Sequence, residues 1–202
     1  MTDLLNKTIC TGIRLTAVVE QDKKFTVVGY KITKEDRDLT RGIPISSPST
    51  CDTYLGLTFR LAPDPEGQYL MVVSSVMLLA RDPEVNDSLF HYDYERNKEH
   101  NYPEAHLHIC ATSPNWEALG EDRALSKLHF PVGGRRFRPT LEEFIEFLII
   151  EGFVAERKDA RKHIKTSREE FQKLQLRAAI RRDPEVAREA LARVDAENSA
   201  KV

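Results

Sequence analysis

The sequence predicts an α+β fold: a mainly antiparallel, meander-like sheet covered by a helix, with a charged helical arm at the C-terminal end. Three observations carry that expectation. Between residues 13 and 132, short apolar or alternating runs follow one another across turn-sized gaps, with no helical pattern between them to supply parallel crossovers. From Thr140 onward, apolar residues recur at helical spacing instead. Residues 157–182 then carry ten Lys and Arg around a thin apolar stripe. The boundary is expected near residue 153, giving an α+β domain over 1–153 and a helical arm over 154–202.

Taken in order, Leu4–Thr11 reads as either a short helix or an early strand. Ile13–Glu20 and Phe25–Lys31 read as strands, β-branched and separated by the polar turn 21–24. Arg41–Asp52 holds Gly42, Pro44, Ser46, Ser47, Pro48 and Ser49 and reads as a loop. Thr53–Leu61 and Tyr69–Ala80 are strands around the turn 62–67. The second is apolar at nearly every position, as a central strand covered on both faces should be. Leu89–Arg96, Ala105–Thr112 and Leu125–Val132 all alternate and extend the sheet. Trp116, in the loop before the last of them, is expected in the core. Thr140 and Glu143 are spaced as a capping box, and Leu141, Phe144, Ile145, Leu148 and Ile149 form the stripe that covers the sheet. Gly152 stops that helix. A second helix runs from Asp159 to Arg182, and a third restarts at Pro184 and reaches Val194.

Composition excludes several classes. Of 202 residues, 31% are charged and 41% hydrophobic, with a formal net charge of −2, so no global charge points to nucleic acid or an anionic membrane. Residues 1–153 carry 17 Lys and Arg against 23 Asp and Glu, while 154–202 carry 13 against 9. An acidic body therefore bears a mildly basic arm. Cys10, Cys51 and Cys110 are widely spaced and odd in number, which suits neither a disulfide framework nor a Cys-x-x-Cys zinc site. No signal peptide is expected from the first residues, and no run is long enough for a membrane span; a cytoplasmic protein is the expectation.

Five of the six histidines fall between residues 91 and 129. If 89–96 and 105–112 pair as a symmetric hairpin, residue 96 faces 105, Glu95 faces His106, Asp93 faces His108 and His91 faces Cys110. Alternation then puts these six on one face and Phe90, Tyr92, Tyr94, Leu107, Ile109 and Ala111 on the other. His129 joins the polar face if its strand pairs alongside.

Three readings of that face stand side by side. It is a solvated sheet face with paired charges; or it is a metal site, in which two or three imidazoles with Asp93 or Cys110 meet zinc's tetrahedral demand; or it is catalytic. In the last, His91, Asp93, His106, His108 and His129 act on a phosphate ester, with a histidine as base or nucleophile and a carboxylate fixing its tautomer. Zinc is thus a candidate cofactor, although nothing in the sequence requires one. Arg135, Arg136 and Arg138, beside Gly133-Gly134 and before the helix capped by Thr140, are candidate phosphate-binding residues.

Ala105-His-Leu-His-Ile-Cys110 resembles the histidine-triad nucleotide hydrolases, whose signature alternates three histidines with apolar residues; Cys110 stands in the third place. Tyr92-Asp-Tyr-Glu95, followed by His100, Pro103, His106 and His108, resembles the TumE-type proteins of bacterial toxin–antitoxin loci over some 25 residues. That resemblance implies a nucleic-acid-linked role in a toxin–antitoxin setting. The arm gives a further expectation: residues 158–194 dock a protein partner or a second copy, with RNA or another phosphate ligand as the alternative and no membrane contact. The first functional expectation is therefore a small interaction or regulatory protein, and the second a histidine-dependent phosphoesterase or ribonuclease.

Overall fold

The computed structural model describes residues 1–20, 24–46, 52–97, 103–118, 120, 124–134 and 138–199. After a short helix α1 (Thr2–Thr8) come strands β1 (Leu15–Val19), β2 (Thr26–Tyr30), β3 (Ile43–Ile45), β4 (Thr53–Pro63), β5 (Leu70–Ala80), β6 (Ser88–Glu95) and β7 (Ala105–Ile109). Helix α2 (Pro114–Glu117), the two-residue strand β8 (Phe130–Pro131) and helices α3 (Leu141–Ile150), α4 (Ala160–Arg182) and α5 (Pro184–Ser199) complete the order. The sheet is antiparallel throughout its described pairs and runs β1-β2-β4-β5-β6-β7-β8. Strands β2 and β3 share one edge of β4, β2 along Thr58–Leu61 and β3 along Thr53–Leu55. The α+β class and the meander from β4 to β8 are as the alternation predicts.

Register sorts the side chains into two faces. One row across β4 to β8 reads Leu57, Met77, Tyr92, Leu107, Phe130; the next core row reads Leu55, Leu79, Phe90, Ile109. Leu141, Phe144, Ile145 and Leu148 of α3 and Leu4 and Leu5 of α1 pack on this face, joined by Val154 and Ile164. Each fully buried Leu or Phe contributes about 1.5–3 kcal/mol, so the four α3 residues anchor the helix. Its start is the expected capping box: Thr140 Oγ1 accepts from Glu143 N–H, and Glu143 accepts from Thr140 N–H. Gly152 ends it at φ +73°, a left-handed conformation that glycine adopts without strain. At the other end of the chain, Asn6 donates to Ile13 C=O and accepts from Ile13 N–H, fixing the turn from α1 into β1.

Several expectations need correction. Leu4–Thr11, ambiguous in sequence, is helical at Thr2–Thr8. The loop expected over Arg41–Asp52 contains β3, whose Ile43 and Ile45 are buried against β4. Leu125–Val132 is not a strand throughout: Leu125–Lys127 forms one 3-10 turn, and only Phe130–Pro131 pairs with β7. Pro131 occupies a non-hydrogen-bonded position of this edge strand, and the ladder ends with Val132 N–H donating to the carbonyl of Ala105, the first residue of β7. Trp116 is half-buried rather than in the core, its ring edge-on to Phe130 at 6.3 Å. α5 runs past Val194 to Ser199. The turn expected over residues 21–24 falls on positions 21–23, outside the described residues.

The chain divides into two compact units, Met1–Ile164 and Lys165–Val202. In the second, α4 and α5 expose Leu174, Leu176, Ile180, Val186, Leu191 and Val194. No helix among the described residues is long and apolar enough to cross a membrane.

Candidate functional site

The face of β6 and β7 turned away from α3 is where the histidines meet. The hairpin register pairs Tyr94 with Ala105, Asp93 with His106 and His91 with His108. This is two residues from the predicted pairing, so Glu95 does not face His106. Arg96 turns to β5 instead, its N–H donating to Val73 C=O and its side chain to Val72 C=O. An even shift preserves parity, so the division of the hairpin into an aromatic and a titratable face survives the correction. His129 precedes β8 with the parity of Pro131, the partner of His106, and its ring lies 4.9 Å from His106 and 4.1 Å from His108, centroid to centroid.

Asp93 sits at the centre. Its Oδ2 is 3.5 Å from His91 Nε2, 3.7 Å from His106 Nε2 and 4.0 Å from His108 Nε2. Charge-assisted hydrogen bonds are shorter, about 2.7–2.9 Å. The other carboxylate oxygen, Oδ1, is buried and takes no hydrogen bond from any described residue. His106 is 1% exposed, and its Nδ1 lies 3.1 Å from the Pro103 carbonyl. A carbonyl only accepts, so Nδ1 carries the proton; in the neutral ring Nε2 is then a bare lone pair facing a carboxylate. His91 and His108 are more open, at 25% and 14% side-chain exposure.

The four rings are not equivalent. His106 and His108 meet at 73°, His108 and His129 at 72°, and His106 and His129 at 58°. His91 instead stacks on His108 at 27°, with centroids 4.5 Å apart. Burial holds the His91 imidazole below its ordinary pKa, against the pull of Asp93 in the other direction. Its Nδ1 lies 3.9 Å from Cys110 Sγ, whose thiol is raised by burial and then by Asp87 and Asp93. Among the described residues, two overlapping sets could hold a metal ion: His106, His108 and His129, and His91, Asp93 and His108, each with its ligand atoms within 4.8 Å of one another.

Of the predicted site residues, the structure brings together His91, Asp93, His106, His108 and His129. Arg138 stacks 4.6 Å over the ring of Tyr94, a side chain that alternation turns away from Asp93, and burial lowers its pKa. Arg135 and Arg136 lie outside the described residues. Sequence reasoning did not find the groove beside the cluster. About 560 Å³ in volume, it is lined by Glu20, Arg37, Thr58, Arg60, Ser74 and Val76 among others. Thr58 and Val76 belong to the row that continues into Asp93 and His106, so groove and cluster share one sheet face. Arg60 binds Glu20 through two 3.0 Å hydrogen bonds and lies 3.8 Å over the Phe25 ring. These partners are 40 and 35 positions away, and no local spacing announces them.

No family model, curated protein or solved structure matches the chain.

Proposed function

We propose that this protein is a hydrolase of phosphate esters, with RNA or nucleotides as its substrate class and the histidine face as its reactive centre. One observation carries the reading: a single carboxylate oxygen of Asp93 lies within 4.0 Å of the Nε2 atoms of three imidazoles. Imidazoles exchange protons near neutral pH, and a neighbouring carboxylate stabilises the imidazolium that forms. Cleaving a phosphate ester needs a base for the attacking hydroxyl and an acid for the leaving oxygen. His91, the most open of the three around Asp93, is assigned to contact the substrate, while His106 and His108 stand behind it. The groove, with Arg37 and Arg60 in its wall, supports a substrate extending beyond the phosphate. A nucleic-acid substrate also agrees with the toxin–antitoxin setting that the hairpin's resemblance implies.

The test is a panel of phosphomonoesters, linear and cyclic phosphodiesters and short ribonucleotide oligomers. The expected result is turnover of at least one class, with His91→Ala and His108→Ala each lowering kcat by about 100-fold or more. A panel without turnover, or turnover indifferent to both variants, ends the proposal.

A second reading rests on the exposed apolar residues of α4 and α5, 44–63% accessible at Leu174, Leu176, Ile180, Val186, Leu191 and Val194. In it the arm docks a protein partner or a second copy. A chain that stays monomeric by light scattering at about 100 µM, well above micromolar affinities, and is unchanged by Leu176→Glu and Leu191→Glu removes self-association from that reading.

A further inference from the structure

The geometry points to a mononuclear transition-metal centre in which His106, His108 and His129 supply imidazole nitrogens and Asp93 a carboxylate oxygen. His91 lies outside the ligand set. This deepens the hydrolytic reading of the same cluster by naming its cofactor class, a divalent first-row ion of the zinc type, but metal binding can be measured without any substrate.

The first argument is the spacing of donor atoms. Metal–nitrogen and metal–oxygen bonds of about 2.0–2.2 Å, opened to a tetrahedral angle, hold donors about 3.4 Å apart. Asp93 Oδ2 stands 3.7 Å from His106 Nε2 and 4.0 Å from His108 Nε2. Those gaps are too wide for hydrogen bonds and close to the edge of a coordination tetrahedron. The ring centroids give an independent measure. Imidazoles bound to one ion place their centroids about 3 Å from it, hence about 4.5–5 Å from one another for angles between octahedral and tetrahedral. Two pairs, at 5.0 and 4.9 Å, fall in that range, and His108–His129 is closer at 4.1 Å.

Orientation then separates ligands from neighbours. A nitrogen lone pair lies in the plane of its ring, so three rings bound to one ion must have planes that meet there. Planes crossing at 58–73° allow this for His106, His108 and His129, whose donor atoms lie within 4.8 Å of one another. His91 and His108 are instead stacked, at 27° with centroids 4.5 Å apart. The ion is placed with the steeply crossed triad, Asp93 completing its shell from the second set, and stacked His91 is left outside. It remains beside Asp93, 3.5 Å away, as a neighbour of the ligand shell.

The surroundings fit the same assignment. His106 donates through Nδ1 to the Pro103 carbonyl, which fixes the ring and leaves Nε2 as the metal-facing atom; metal-bound histidines nearly always carry such a second bond. A lone pair at 1% exposure directed at a carboxylate is unfavourable unless a proton or a metal ion lies between them. Asp93 Oδ1, buried with no described donor, is a second polar atom that lacks a partner in the cluster. Three imidazoles with one carboxylate suit a borderline ion better than calcium or magnesium, which prefer all-oxygen shells.

The experiment uses the full-length protein, stripped with chelator and titrated with Zn²⁺ by calorimetry and with Co²⁺ by visible absorption. The expected result is one equivalent per chain, with cobalt giving the intense d–d bands of a four-coordinate nitrogen-rich site. His108→Ala and His129→Gln weaken binding more than about 100-fold, whereas His91→Ala costs about 10–100-fold, the range for a neighbour outside the shell. His129, on the sheet edge and only half-buried, is the ligand whose loss spares the core; circular dichroism of each variant confirms its fold. Absence of stoichiometric binding to the folded wild type overturns the inference, and so does a loss at His91→Ala equal to that at His129→Gln. Binding of one metal ion without turnover of any phosphate ester leaves this inference standing and removes the hydrolytic one.

Discussion

The two faces of the β6–β7 hairpin are built from adjacent residues of the same strands, yet their side chains are arranged on different principles. On the aromatic face Phe90 meets Tyr92, Phe144 and Phe147 edge-on, with centroids 5.6–6.3 Å apart and interplanar angles of 71–83°. Those contacts close the space between sheet and α3. On the other face His91, Asp93, His106 and His108 stand one position further along, and the polar atoms face one another at 3.5–4.0 Å without closing into hydrogen bonds. The first face is closed by ring packing. The second has the spacing of groups that receive something. One hairpin thus serves stability with the residues that face α3 and chemistry with the alternate set, and mutations on the two faces should separate those properties.

The largest effect belongs to the aromatic face. Phe144→Ala removes a 1%-exposed ring that contacts both Phe90 and Tyr92 and should cost about 3–5 kcal/mol in urea unfolding, while the protein that remains folded binds metal with the wild-type stoichiometry. Next is the histidine face, where a saturating ion should add stability that the metal-free chain lacks. At Zn²⁺ about 100 to 1,000 times its Kd the gain is about 2.7–4.1 kcal/mol, seen as a rise in Tm that His129→Gln abolishes. Gly56→Ala probes the little packing that this face has. Its Cβ would come 2.6 Å from Leu78 Cγ, and Leu78 pairs with His91, so a loss of about 1–3 kcal/mol is expected together with a change in metal affinity. Thr140→Ala, which removes the α3 cap far from the histidines, should cost about 1 kcal/mol and leave that affinity alone.

The smallest effect is chemical. Burial pushes the Cys10 thiol up to about 12 from 9.0, so at pH 8 it is protonated in the fold and inert to alkylation. Cys110 is also raised but lies exposed. Mass spectrometry after brief iodoacetamide treatment should find Cys110 modified and Cys10 intact. Because the Cys10 value is higher in the folded than in the open chain, its contribution to stability is full below pH 9 and falls as pH rises toward 12.

The alternation of Leu89–Arg96 and Ala105–Thr112 made the face partition legible, and the capping box made α3 legible, because both are properties of neighbours in sequence. Register was not legible. A period of two fixes parity alone, and pairings two residues apart leave every side chain on the same face. What chose between them was Arg96 turning to Val72 and Val73 on β5, a contact that no local pattern encodes. The length of β8 was not legible either: Leu128, Phe130 and Val132 alternate as a strand should, but only Phe130–Pro131 pairs with β7, and Leu125–Lys127 turns as a 3-10 helix. For the site, the residue types and their shared face came from spacing. The stack of His91 on His108 and the bond from His106 to Pro103 came only from the fold, and these divide the cluster into ligands and neighbour.

The most direct test of that division is X-ray absorption at the zinc edge of the loaded protein. The account predicts a first shell of three imidazole nitrogens and one oxygen from Asp93, at about 2.0–2.2 Å, unchanged in His91→Ala. A sulfur scatterer near 2.3 Å, which would place Cys110 on the ion, or a shell without imidazole would contradict it.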